Sequence, residues 1–142
     1  MKNFLLAMVG ILLFGSSTFA QTRTVPQGAK LYIEPMSGFE SYLAAAILAK
    51  KVPVSVVLDK AQADYLVAGT FKEEAGGTTG NGSLVRPFHN RTNYSASVSV
   101  VDPKTTAVAF AYSSQKSASH EASKEIAEDW ATHLRDDMLK KK

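Results

Sequence analysis

The chain has 142 residues, of which 45% are hydrophobic, 20% charged and 9% aromatic, with a formal net charge of +3. This length and composition predict one globular domain with one core, and exclude a disordered or collagen-like chain. There are no cysteines, which excludes disulfides, thiolate metal sites, a cysteine nucleophile and a lipidated N-terminal cysteine.

The first segment, Met1 to Ala20 (MKNFLLAMVGILLFGSSTFA), has a basic start at Lys2, an apolar run from Phe4 to Phe14, and then a polar break. Thr18 and Ala20 are small residues three and one before Gln21. This order predicts a secretory signal peptide cleaved after Ala20. The run is shorter than the roughly 20 apolar residues that span a bilayer, and no basic stop-transfer cluster follows it. The expected product is an exported protein, periplasmic or secreted, with no stable membrane anchor. Lys2 is the only charge in the leader, so the net charge after cleavage is near +2. The short basic start suits a bacterium.

Residues 21–29 are polar, with Pro26 and Gly28, and are expected as a flexible lead-in. Lys30 to Met36 alternates, with Leu31 and Ile33 opposite Tyr32, and predicts a strand. Ser37-Gly38-Phe39-Glu40 has the form of a capping box, in which the serine accepts from the first turn and Glu40 reaches back. Phe39, Leu43, Ala46 and Ile47 then follow helical spacing, which predicts a helix over 38–51. Glu40 at its start and Lys50-Lys51 at its end complement the helix dipole, and Pro53 stops it.

Val52 to Leu58 is β-branched, with Val54, Val56 and Leu58 expected on one strand face. Asp59 to Gln62 is a connector, and Ala63 to Glu73 reads as a third strand in which Gly69 allows a bulge or close packing. Tyr94, Ala96, Val98 and Val100 alternate with Ser95, Ser97 and Ser99. The turn Asp102-Pro103-Lys104-Thr105 connects this strand to Thr106–Ser114, with Val108, Phe110 and Tyr112 expected on one face, and the pair forms a hairpin. Over 120–140, Ala122, Ile126, Trp130, Leu134 and Met138 recur every fourth residue, with Ala127 and Leu139 alongside, and predict an amphipathic helix. Its first half is acidic and its end basic, which again suits the dipole.

The element order is therefore β-α-β-β-β-β-α, an α/β fold over residues 30–142. It is expected as a single mixed five-stranded sheet with two helices on one face. The first β-α-β unit is expected as a right-handed parallel crossover, and the serines of the fourth strand predict a wet opposite face.

Lys30 to Met36, Gly38 to Leu43, Lys51 to Val57, Ala63 to Val67 and the hairpin over Val98 to Tyr112 together resemble one bacterial envelope pattern. The chain is similar to the TolB amino-terminal domain and its broad group. That group includes the curli-secretion lipoprotein and the lipoprotein activator of penicillin-binding proteins. The resemblance covers most of residues 30–142 and implies a mixed α/β domain that works by contacting other envelope components. The chain departs from those lipoproteins in lacking an anchoring cysteine. It departs again at Asp102-Pro-Lys-Thr-Thr106, where relatives usually carry a glycine.

No catalytic motif is complete. His120-Glu121 opens like a zinc-binding helix, but Lys124 stands where the second histidine belongs. His89 and His133 add no ligand pair, so no metal and no cofactor is expected. Ser113-Ser114-Gln115-Lys116 matches Ser-x-x-Lys without the partner motifs of a penicillin-recognising enzyme; the serines are expected to end a strand and cap the last helix. Glu73-Glu74 and Asp136-Asp137 are neighbours in sequence rather than carboxylates facing across a cleft.

The binding candidate is the stretch from Ala75 to Asn93, a long Gly-rich connection of the kind that is either functional or mobile. Arg86, His89 and Arg91 interleave there with Phe88 and Tyr94. Arginine forks suit carboxylates and phosphates, and aromatic rings stack on sugars or side chains. The same stretch also reads as a hairpin tip whose Phe88 tucks back onto the sheet. A charge near +2 lacks the basic stripe that nucleic acid requires. The sequence thus predicts a non-enzymatic exported domain that contacts an envelope protein. The alternative is a domain that binds an anionic envelope polymer, such as a peptidoglycan or polysaccharide fragment.

Overall fold

The computed structural model describes residues 24–75, 92–118 and 121–140. The segment expected as a signal peptide (Met1 to Ala20), residues 21–23, and the stretch holding Arg86, Phe88, His89 and Arg91 lie outside the described residues. The elements run β1 (Lys30–Ile33), α1 (Phe39–Ala49), β2 (Ser55–Val56), β3 (Tyr65–Ala75), β4 (Thr92–Val101), β5 (Val108–Ala118) and α2 (Ala122–Leu139). A single turn of 3-10 helix at Lys60–Gln62 precedes β3, capped by Asp59, whose side chain accepts from the Ala61 amide. The five strands form one mixed sheet in the order β2-β1-β3-β4-β5. β1 is parallel to both β2 and β3, whereas β3, β4 and β5 are successively antiparallel.

Alternation sets the two faces. Leu31, Val67, Ala96, Val98 and Val100 are buried on one face against Phe39, Leu43 and Ile47 of α1 and Ile126, Trp130 and Leu134 of α2. Both helices therefore cover one face, and the periods of 2 and 3.6 meet there. Trp130 is fully buried, with the Phe110 ring edge-on at 6.3 Å. Truncating such an aromatic costs about 3–5 kcal/mol. The opposite face is wet: Thr70, Lys72, Ser97, Ala111, Ser113, Gln115 and Ser117 are exposed on it.

Gly69 serves close packing rather than a bulge. It pairs with Val98 in an unbroken β3–β4 register, and a Cβ there would be driven into the Ser97 carbonyl oxygen. The bulge lies elsewhere, between Val100 and Val101 of β4, where Val100 pairs with Phe110 but Val101 pairs with Val108. One extra residue on β5 reverses the side-chain parity. Val108 consequently leaves the face of Phe110 and Tyr112 and is 58% exposed.

Other expectations are also corrected. The strand expected over Val52–Leu58 shrinks to Ser55–Val56 at the sheet's edge, and Leu58 is 96% exposed. Val54 donates to the Val52 carbonyl instead of joining a ladder. Within the lead-in, Val25 and Ala29 are buried, Pro26, Gln27 and Gly28 between them are exposed, and the Gly28 amide donates to the Pro53 carbonyl at 2.7 Å. Half of the capping box forms. The Glu40 carboxylate accepts from the Met36 and Gly38 amides at 2.8 and 2.9 Å, but the helix starts from Gly38 with no side-chain cap. At the other end, Lys50 is the cap residue of α1, and its ammonium reaches Glu128 of α2 at 2.7 Å. Leu139, expected on the apolar stripe of α2, is half-exposed.

Candidate functional site

The far end of the sheet, where β3 meets β4 at Ala75 and Thr92, carries Tyr94. Tyr94 is the only one of the five candidate binding residues within the described part of the chain. Register places it opposite Glu73 on β3 and Lys116 on β5. Its hydroxyl donates to the Glu73 carboxylate across 3.4 Å. Burial of the phenol raises its pKa above 10.0, and the charge of Glu73 adds to this. The ring lies 6.2 Å from Phe71, which stacks on Phe39 at 4.5 Å, and Phe39 in turn lies 6.4 Å from Tyr42. Four rings thus run from β4 to α1, fixing the Tyr94 body while its polar tip stays at the rim.

Beside Tyr94, the Lys116 ammonium sits 2.8 Å from Asp129 and 3.2 Å from Glu125 of α2. Bonding to Asp129 is the main cause that raises the Lys116 pKa above 10.5. One turn further along α2, the His133 ring lies 4.6 Å from Tyr112 of β5. Its Nδ1 is 2.8 Å from the Asp129 carbonyl oxygen, which makes that nitrogen the donor. Helical spacing aligns Glu125, Asp129 and His133, and their contacts to Lys116 and Tyr112 show that this flank overhangs β5, with Asp136 one turn further along the helix. β5 is the last strand in the sheet, and among the described residues it pairs only with β4.

This surface was only partly visible in the sequence. Tyr94 was found by alternation, whereas the acidic residues of α2 looked like dipole partners alone. Which strand lies at an edge is not encoded in hydrophobic periodicity.

Among the described residues the catalytic fragments do not assemble, and His120 lies outside them. Ser113 and Ser114 neither end the strand nor cap α2, because β5 continues to Ala118 and α2 starts from Glu121 without a side-chain cap. Three residues apart on a strand, Ser113 and Lys116 project to opposite faces. Glu73 and Glu74 do the same, and Asp136 is held by Arg135 at 3.2 Å. Two shallow hollows lie among the described residues. One, of about 200 Å³, lies between the helices at Tyr42, Ala45, Ala49, Lys124 and Glu128. The other, of about 210 Å³, lies at Ile33, Glu40, Ala44, Val57 and Leu58. The second hollow is also lined by Tyr32 and Ser41, and its Glu40 carboxylate is engaged by the Met36 and Gly38 amides. No group of three or more metal-ligating side chains occurs among those residues, and no helix among them is long and apolar enough to cross a membrane.

No family model and no curated protein matches the sequence. Solved structures do match. TolB from Acinetobacter baumannii aligns with a TM-score of 0.54 at 12% identity, covering 83% of this chain and 30% of TolB. The chain shares a fold with part of TolB. A PelC dodecamer from Paraburkholderia phytofirmans aligns with a TM-score of 0.52 at 16% identity, covering 81% of this chain and 92% of PelC. The resemblance to TolB expected from the sequence therefore stands at the level of fold.

Proposed function

We propose that this chain is a non-enzymatic exported interaction domain that contacts a protein of the bacterial envelope. The observation that carries this reading is the asymmetry of the sheet. Two helices pack on one face, while among the described residues Thr70, Lys72, Ser97, Ala111, Ser113, Gln115 and Ser117 are exposed on the other and the eleven-residue β5 pairs only with β4. That is a surface for contact. The leader sequence supports export. The fold shared with part of TolB, and with a PelC chain that is described as a dodecamer, supports a body used in association rather than chemistry.

The test is crosslinking in intact cells, followed by affinity capture of the tagged native chain and the reciprocal capture from its tagged partner. The reading expects one envelope protein to be enriched in both directions. Recovery of no envelope protein above an untagged control overturns it.

A further inference from the structure

We infer that β5 is a docking edge for an extended, basic segment of a partner protein, which adds to the sheet as a sixth strand beneath the acidic flank of α2. The inference rests on the interaction reading above and specifies where and how that contact is made.

An edge strand presents every second amide and carbonyl outward, and native proteins guard such edges with proline, lysine, bulges or short length. β5 is long, eleven residues from Val108 to Ala118, and contains no proline. Its bulge is confined to the start, between the pairs Val101–Val108 and Val100–Phe110. Its one lysine does not guard the edge, because Lys116 turns its ammonium onto Glu125 and Asp129. From Phe110 onward the strand keeps regular register with β4. The open face of this stretch carries only Ala111, Ser113, Gln115 and Ser117, small or uncharged side chains that let another strand lie close.

Charge decides the occupant. On the helix side, an added strand runs beneath Glu125 and Asp129, two carboxylates that share one cation, Lys116, among the described residues. Arg135 answers Asp136 from its own helix. Lysine or arginine at alternate positions of the incoming strand would face these carboxylates, while its main chain takes the outward amides and carbonyls of β5. A second copy pairing β5 against β5 would instead bring two acidic flanks together. Like charges at that spacing are unfavourable.

The experiment is a titration of the ¹⁵N-labelled exported chain with a short peptide alternating lysine and threonine, beside one alternating glutamate and threonine. The lysine peptide is expected to shift the amides of Phe110–Ser117 and of the Glu125–Asp136 flank. It should also slow exchange of the β5 edge amides, and its binding should weaken with salt. The Glu125→Gln/Asp129→Asn double variant, checked for an unchanged amide spectrum elsewhere, is expected to weaken binding roughly threefold to tenfold. Equal response to both peptides, shifts that avoid β5, or no response overturns the inference, as does β5-to-β5 dimerisation of the chain without peptide. Failure here leaves the interaction reading standing if envelope capture succeeds through another surface. Failure of envelope capture does not alter the peptide result.

Discussion

Lys116 of β5 and Asp129 of α2 are joined at 2.8 Å, and Glu125 shares the same ammonium at 3.2 Å. This bond ties the sheet's edge to the helix above it, at a site where the lysine side chain remains 30% exposed. Solvent screening at that exposure limits the contribution to about 0.5–1 kcal/mol. Lys116→Gln is therefore expected to lower the unfolding free energy in urea by that amount at neutral pH. The folded-state pKa of Lys116 is raised above 10.5, so its contribution is complete below that value and fades as pH rises through the folded value. The gap between parent and variant should narrow in strongly alkaline solution. The substitution also leaves two carboxylates without their cation, and should tighten binding of the lysine peptide.

Thr106 occupies the left-handed region at φ 56°. Its amide donates to the Asp102 carbonyl at 2.8 Å, closing the β4–β5 turn. A β-branched residue is strained there by roughly 1 kcal/mol, and glycine is not. Thr106→Gly should stabilise the protein by a few tenths to about 1 kcal/mol, the extra freedom of the unfolded chain offsetting part of the gain. Thr106→Ala keeps the Cβ and should give no gain. Thermal unfolding of the two variants separates these outcomes.

Gly69 is constrained by space rather than by angle. A Cβ there meets the Ser97 carbonyl and lies 2.9 Å from the Val98 Cα, both in the backbone of β4. Neither can turn aside as a side-chain tip would. Gly69→Ala should destabilise by about 2–3 kcal/mol. Gly38→Ala, where nothing lies within 4 Å but φ is 93°, should cost only about 1 kcal/mol through strain. Urea midpoints for both variants test the ranking.

Glu40 has its pKa lowered below 4.5, chiefly by accepting the Met36 amide. A carboxylate with a depressed folded-state value stabilises above its ordinary pKa, and that contribution is lost as pH falls through the folded value. Glu128, lowered mainly by Lys50, acts in the same direction. The melting temperature should therefore fall as pH drops from about 5 towards 3. Glu40→Gln should flatten that fall, and an unchanged slope would contradict the role assigned to Glu40.

The elements with sustained period were legible in the sequence. Ala122, Ile126, Trp130, Leu134 and Met138 are all buried at the spacing that predicted α2, and β4 buries Ala96, Val98 and Val100. What escaped was set by partners. The β-branched run at Val52–Leu58 did not reveal that only Ser55 and Val56 would find a register on β1. Val108 was misplaced because one bulged residue reverses parity without any mark in composition. Val25 is buried because the chain before β1 is bound to Pro53, a contact made only in the folded sheet. The same holds for the site. Tyr94 could be placed by alternation, but the overhang of α2 above β5 depends on helix placement, and no local pattern records it.

The most direct measurement is site-specific photo-crosslinking in cells, with the reactive side chain at Ser113 on β5 and, in parallel, at Leu58 beside β2. Both positions are exposed. The account predicts a discrete protein adduct from Ser113, lost when the Lys-Thr peptide is supplied in excess, and none from Leu58. An adduct from Leu58 alone, or from neither position, would contradict it.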